Sequence, residues 1–357
     1  MLVPMLTMAQ SFTSDNLQYW VISNVEMTAE VIGLSAGMPN FLNIPNTVTY
    51  NGASYKVVSI REGAFSKCSA EESSKLYTVI VGNNVTELPQ FFMRDKPKLN
   101  TVVLGSGLKK IGAMAFFNCT SLVDIAIPDG VNAMDGSIFT YCSKLKNVKL
   151  SKSMTQASLG LFNDCPNLET IDFGGSNYTY IGSIFRGTYP NLMRITIRNA
   201  APPETSKDAF PADVVKNTYL HVPEGCAQAY KDNAAYQNFK GIIDDITDAQ
   251  CADPVIQVSG GIVRFTCATP GVTYKYTANA QGEDAGTTSG ACQISEPYVF
   301  ISVQATKSGC DPSNIVTKPV PCSALFASSH VNTDVNGDGK VNTTDVVEIY
   351  NYIINGN

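Results

Sequence analysis

From Leu76 to Ile197 the apolar residues of this chain recur in a fixed frame. Six runs read L-x-x-[VI]-x-[VILF]: "LYTVIV" (76–81), "LNTVVL" (99–104), "LVDIAI" (122–127), "LKNVKL" (145–150), "LETIDF" (168–173) and "LMRITI" (192–197). Ahead of each run stands one of Phe65, Phe92, Phe116, Phe139, Phe162 and Phe185, spaced 27, 24, 23, 23 and 23 residues apart. Three residues beyond each phenylalanine comes Cys68, Asp95, Cys119, Cys142, Cys165 or Thr188. A period of this length marks stacked units that each hold one short strand and bury nothing alone. Rungs ~4.8 Å apart place Leu on Leu, Ile on Ile and Phe on Phe, so six or seven of them extend ~30 Å.

The same frame predicts which side chains leave the core. Successive residues of a strand point to opposite faces. The third positions of the runs therefore form an outward column of Thr78, Thr101, Asp124, Asn147, Thr170 and Arg194. The fifth positions form a second column of Ile80, Val103, Ala126, Lys149, Asp172 and Thr196. Neither column carries an aromatic platform or a stripe of one charge. A mixed polar patch for protein contact, centred on Asp124, Asn147, Lys149, Asp172 and Arg194, stands against an ordinary solvated sheet face. Tyr178 and Tyr180, in the turn before Ile181, are a further exposed candidate.

The units resemble the BspA-type leucine-rich repeat, which reads roughly L-x-x-I-x-I-P…I-x-x-x-A-F-x-x-C. The match is close at "IREGAFSKC" (60–68) and "LVDIAIPDGVNAMDGSIFTYC" (122–142), and it extends over about 60–245. The resemblance implies a right-handed solenoid and a role in adhesion or ligand binding at the surface of gut or oral anaerobes. Before the repeats, "NIPNTVTYNGASYKVVSI" (43–60) looks like the family's N-terminal hairpin cap, turning at Asn51-Gly52. After them, 219–242 looks like the closing cap. Trp20, the single tryptophan, is expected to pack the N-terminal cap.

The period ends near Asp244-Asp245. From 250 to 322 short alternating segments such as Val263, Phe265 and Cys267, with a turn at Gly260-Gly261, predict a small β-sandwich. The stretch "ISVQATKSGCDPS" (301–313) is similar to chitobiase C-terminal or immunoglobulin-like domains, which are commonly spacers. The fold class is therefore mainly β: cap hairpins over 10–60, a leucine-rich-repeat solenoid of ~23-residue units over 61–245, the sandwich over 250–322, and a C-terminal loop-helix over 331–357.

That last segment carries the chain's sharpest ligand motif. "DVNGDGKVNTTD" (334–345) places oxygen at loop positions 1, 3, 5, 9 and 12, with Gly339 at position 6. Asp334, Asn336, Asp338 and Asp345 supply side-chain oxygens, Lys340 a backbone carbonyl, and Asn342 a ligand or a held water. This is EF-hand spacing, and the implied cofactor is calcium. The helix expected over 344–354 is too short to be stable alone. Its stripe of Val346, Ile349, Tyr350 and Ile353, widened by Val347 and Ile354, must be covered by the chain itself or by a partner. Loop and helix resemble one repeat of a type I dockerin. That resemblance implies a cohesin-like partner met through Thr343 and Thr344. Dockerins carry two such repeats and a basic pair later on the helix; here there is one repeat, with Tyr350-Asn351 at the pair.

Composition narrows the remaining choices. The formal net charge is −6 and no basic run occurs, which argues against nucleic-acid or anionic-membrane binding. The opening "MLVPMLTMAQ" reads as the back half of a secretory signal cut before Gln10, so 1–9 is a residual signal peptide. No later stretch reaches the ~20 apolar residues of a membrane span. Of the ten cysteines, Cys119, Cys142 and Cys165 stack in parallel at the repeat period, which disfavours bridging, and the same reasoning extends to Cys68. Cys251, Cys267, Cys292, Cys310 and Cys322 leave their pairing open. The two histidines, His221 and His330, sit in none of the hydrolase or metalloprotease motifs. His221 with Cys226, and Asp244 with Asp245, are explained by a cap turn and a solvated boundary. The reading is a non-catalytic, secreted or surface-exposed protein that binds a protein or glycan ligand. The alternative is a structural part of an extracellular complex recruited through the C-terminal module.

Overall fold

The computed structural model describes residues 11–247 except 67 and 158–159, together with 251, 254–259, 262–278, 284–289, 291–293, 300–306, 313 and 316–319. The chain divides into two compact units at Ile243 and Asp244. The first is a β-solenoid closed by caps at both ends.

Its N-terminal cap is a mixed five-stranded sheet in the order Ser11–Ser14, Leu17–Ser23, Thr28–Leu34, Ala53–Ile60, Thr47–Tyr50. Thr47–Tyr50 and Ala53–Ile60 form an antiparallel hairpin that turns at Asn51 and Gly52, with φ of 49° and 76°. Both residues are left-handed, as the hairpin twist requires. Trp20 is half-buried on its strand, with the Arg61 guanidinium 5.6 Å from its ring centroid.

The repeats then stack in parallel. Phe41–Ile44, Thr78–Val81 and Thr101–Val103 make one sheet. Asp124–Ala126, Asn147–Lys149, Thr170–Asp172, Arg194–Thr196 and Tyr219–Pro223 continue as a second, completed by Gly241–Ile246. A shorter ladder runs through each unit's other segment: Glu87–Leu88, Lys110–Ile111 and Ala133–Met134, then Gln156–Ala157, Tyr180–Ile181 and Glu204–Thr205. Between the ladders lie Leu76, Leu99, Leu122, Leu145, Leu168 and Leu192, all fully buried. The six phenylalanines form a continuous stack with centroid separations of 5.7–6.0 Å. Phe116, Phe139 and Phe162 lie almost parallel.

The turns obey the same period. Left-handed backbone recurs at Phe91, Met114, Ser137 and Gly160, and again at Asp95, Asn118, Tyr141, Asp164 and Gly187. Only Gly160 and Gly187 adopt it without a Cβ penalty; each other position costs ~1 kcal/mol, which the stacked amides over-determine. Those amides pair from unit to unit, as in Met93 N to Ala115 O, Phe116 N to Ile138 O and Phe139 N to Leu161 O.

At the far end, Phe210, Tyr230, Tyr236 and Phe239 form an aromatic lid beyond Phe185. Tyr230 and Tyr236 donate to the carbonyls of Asn199 and Pro203. These bonds satisfy edge groups that have no further rung to meet.

The second unit contains two antiparallel sheets. One orders Val255–Ser259, Ile262–Thr266 and Ala291–Gln293; the other orders Asp284–Thr288, Thr273–Ala278, Phe300–Thr306 and Val316–Pro319. Ile256, Val263 and Phe265 of the first share a core with Tyr274, Ile301, Val303 and Ala305 of the second. Cys251 is buried there and Cys267 packs against the same cluster. No helix among the described residues is long and apolar enough to cross a membrane.

Candidate functional site

The strand columns are in register. Asp124, Asn147, Thr170, Arg194 and Tyr219 align across five rungs, as do Ala126, Lys149, Asp172, Thr196 and His221. Tyr219 and His221 extend the columns beyond the residues that the repeat motif marks, because the closing cap adds a rung whose sequence has left the L-x-x-I pattern.

The first column is hydrogen-bonded along its length. Asn147 Nδ2 donates to Asp124 Oδ1 at 2.7 Å, and Thr170 Oγ1 donates to Asn147 Oδ1 at 2.7 Å. The second column gathers a charge cluster. Arg198 grips Asp172 through Nη2 at 2.7 Å and Nε at 3.3 Å. Lys152 pairs with Asp129 at 3.0 Å. Burial pulls the Lys149 ammonium below its ordinary range; Asp172 and Asp129 oppose the shift, while Lys152 and Arg198 reinforce it. Arg198, Asp129 and Lys152 lie outside the six-residue runs, so the motif gave no sign that they join Lys149 and Asp172.

Three expected outward positions are corrected. Thr78 is fully buried, set in register between Phe41 and Thr101. Thr196 is 4% exposed, with Arg194 Nε donating to its hydroxyl at 3.1 Å. Tyr178 is also buried, its ring packed edge-on against Phe173 at 5.1 Å, whereas Tyr180 remains exposed.

The cysteine column has a use that spacing alone does not reveal. Cys119, Cys142 and Cys165 are buried free thiols. They donate to the carbonyls of Met93, Phe116 and Phe139 at 3.0–3.1 Å, each on the preceding rung. In the repeats without cysteine, the next residue along takes the slot. Lys96 Nζ donates to Phe65 O at 3.3 Å and Tyr189 OH to Phe162 O at 2.7 Å, while Asp95 stays at the surface. Five successive rungs therefore meet an inward carbonyl with a donor.

Burial pushes the Cys119 and Cys165 thiols up to about 12, and Cys142 well above its ordinary range. Such thiols are poor nucleophiles at neutral pH. The folded state keeps these protons where the unfolded chain, with thiols near 9.0, releases them. Their stabilisation is thus fully present below pH 9 and is lost as pH rises toward 12. Between pH 9 and 10 each thiol contributes a loss of about 1 kcal/mol. Urea titrations should show a flatter pH dependence in a Cys119→Ala/Cys142→Ala/Cys165→Ala variant, by about 3 kcal/mol over that interval. Equal slopes would exclude the thiols as the titrating groups.

Elsewhere, His221 is buried on the ladder, and the Cys226 thiol faces Glu224 O at 3.8 Å. Asp244 and Asp245 are exposed. A stripe of Phe91, Arg94, Phe117 and Tyr141 crosses three repeats, with Arg94 5.1 and 5.2 Å from the two phenylalanine rings. Among the described residues, no cluster of His, Cys, Asp and Glu is arranged to hold a metal. Asp334, Asn336, Asp338, Lys340, Asn342, Thr343, Thr344 and Asp345 lie outside the described residues, as do residues 1–9.

Residues 58–191 match the BspA type leucine rich repeat region in six copies. The chain is similar to a leucine rich cell surface protein of Faecalibacterium prausnitzii A2-165, at 22% identity and a TM-score of 0.43 over 72% of this chain and 59% of that one. It is similar to a leucine-rich repeat protein of Bacteroides ovatus ATCC 8483, at 22% identity and a TM-score of 0.36 over 65% and 76% of the two chains. It is also similar to the T. pallidum leucine rich repeat protein, at 20% identity and a TM-score of 0.45 over 65% and 98%. The match thus spans 59% of the length of the F. prausnitzii protein. A comparison with curated proteins returns no match.

Proposed function

We propose that the protein, whose residues 58–191 match the BspA type leucine rich repeat region, is a non-catalytic binding protein of the bacterial exterior. Its contact surface is the outward strand face around Asp124, Asn147, Lys149, Asp172 and Arg194, and its ligand there is a protein. The observation that carries this reading is the hydrogen-bonded column Asp124–Asn147–Thr170 beside the Arg198–Asp172 pair. Side chains already held by their neighbours lose little freedom on binding, which lowers the cost of association. Mixed charge in fixed positions supplies specificity and register. The inert thiols and the absence of catalytic motifs agree with a binding role.

The C-terminal loop is a calcium site in this reading, and it folds the helix that follows. A cohesin-like partner for Thr343 and Thr344 belongs to the alternative, in which the module recruits the chain to a complex. The two readings separate when 331–357 is removed. Ligand binding that survives supports the strand face; loss of complex formation alone supports recruitment.

The face is tested with immobilised extracellular-matrix proteins and the purified full chain. An Asp124→Ala/Asn147→Ala variant should bind the captured protein at least 10-fold more weakly and retain its melting temperature, since both side chains sit at the surface. Binding should weaken with added salt as exposed charges are screened. Unchanged affinity in the variant would move the contact surface elsewhere.

A further inference from the structure

The turn ridge of the second to fourth repeats carries large side chains where the backbone least favours them. Phe91 and Tyr141 are left-handed, with φ of 61° and 64°, and Tyr141 is 42% exposed. At the same turn positions further along the solenoid stand Gly160 and Gly187, which adopt that backbone freely. A bulky residue with positive φ is a true outlier, and strain of this kind gathers at functional sites. The core does not account for it, since neither ring belongs to the packed interior of the solenoid.

Between these two residues an arginine is held in place. The Arg94 guanidinium lies over the rings of Phe91 and Phe117, 5.1 and 5.2 Å from their centroids. Asp95 fixes its inner edge: Oδ2 accepts from Arg94 Nε at 3.0 Å, while Oδ1 accepts from Asn118 Nδ2 at 2.9 Å. Phe117 in turn meets Tyr141 edge-on at 5.3 Å. The Arg94 side chain is still 43% exposed, and neither of its Nη groups donates to an acceptor among the described residues. A planar cation is thus positioned by two rings and one carboxylate, with its outer donors open.

The chemistry of the ridge selects the occupant. Parallel N–H groups on a guanidinium match a carboxylate, and such charge-assisted pairs are the strong ones. The ridge has no net positive charge, because Asp95 balances Arg94 and Asp164 pairs with Arg186 at 3.1 Å. That disfavours a sulfated polysaccharide, whose binding needs clustered cations. The rings beside Arg94 call for apolar side chains, and arginine with aromatics is the composition of protein contact centres. Their fixed arrangement lowers the cost of ordering on association. Arg94 and Tyr141 stand two rungs apart, ~10 Å, which is two to three residues of extended chain. We propose that this ridge docks an extended segment of a protein partner, with an Asp or Glu carboxylate on Arg94 and an apolar side chain two or three residues away against Phe117 and Tyr141. It shares no residue with the outward strand face, so the two surfaces stand or fall separately.

The test pans a phage-displayed library of random peptides against the purified full chain, then titrates the strongest binders as synthetic peptides beside heparin. The binders should carry an acid two or three residues from an aromatic or aliphatic side chain. Changing that acid to its amide, Arg94→Ala and Arg94→Lys should each weaken binding at least about 10-fold, since lysine keeps the charge but loses the fork. Both Arg94 variants should melt within about 3 °C of the parent, as expected for a surface side chain. Tyr141→Asn should weaken binding yet melt no lower, because asparagine tolerates the left-handed backbone. Four results would each overturn the proposal. These are no peptide bound at millimolar concentration, parental affinity in Arg94→Lys or with the amide, heparin bound in preference to every peptide, or binders lost in Asp124→Ala/Asn147→Ala instead of Arg94→Ala.

Discussion

Phe139→Ala should destabilise the solenoid by about 3–5 kcal/mol, the range for truncating a large, fully buried aromatic. The Phe139 ring is wholly inaccessible and lies nearly parallel between Phe116 at 5.9 Å and Phe162 at 6.0 Å. Its removal leaves a void facing two rungs at once. In a stack where each repeat contacts only its neighbours, both interfaces weaken. At roughly 3 °C per kcal/mol for a unit of this size, the melting temperature should fall on the order of 10 °C. Calorimetry or urea unfolding measures it. Phe117→Ala provides the contrast. Phe117 is half-exposed and meets Tyr141 edge-on at the surface, so its loss should cost about 1 kcal/mol. A loss below about 1 kcal/mol at Phe139, or equal losses at both positions, would be inconsistent with a phenylalanine stack that holds the rungs together.

The second large effect concerns calcium. In the parent chain, calcium should raise helicity and melting temperature, and a chelator should reverse both. Asp334→Ala combined with Asp338→Ala should abolish the response entirely. On the proposed calcium reading, the loop carboxylates would repel one another without a cation, and the helix expected over 344–354 would have too few internal bonds to offset its nucleation cost. Circular dichroism with and without calcium reads the parent and the variant. A calcium response that survives the double substitution would remove the metal from these positions.

Much of the solenoid was legible before any coordinates. The recurrence of Leu76, Leu99, Leu122, Leu145, Leu168 and Leu192, with the phenylalanines and cysteines, identifies the repeat, its register and the parallel columns. The unpaired state of Cys119, Cys142 and Cys165 followed from the same period, and the turn at Asn51-Gly52 from the Asn-Gly pair itself. The candidate sites were less legible. Asp124, Asn147 and Lys149 were marked as outward from alternation alone. Arg198 and Asp129, which join Asp172 and Lys149 in one charge cluster, were not, because they sit outside the six-residue runs.

What the sequence determined by itself was everything set by periodicity, since a residue repeated every 23 positions must meet its own copy on the next rung. Only the tertiary structure decided which polar groups are satisfied, because that depends on residues one or more rungs away that share no motif. It placed Lys96 and Tyr189 in the donor slot that cysteine fills elsewhere. It buried Thr78 beside Phe41 and Tyr178 against Phe173 while leaving Tyr180 in solvent. It also aligned Gln156, Tyr180 and Glu204 at one register position on three successive rungs. Alternation along a strand says which way a side chain starts. Stacking decides what it meets.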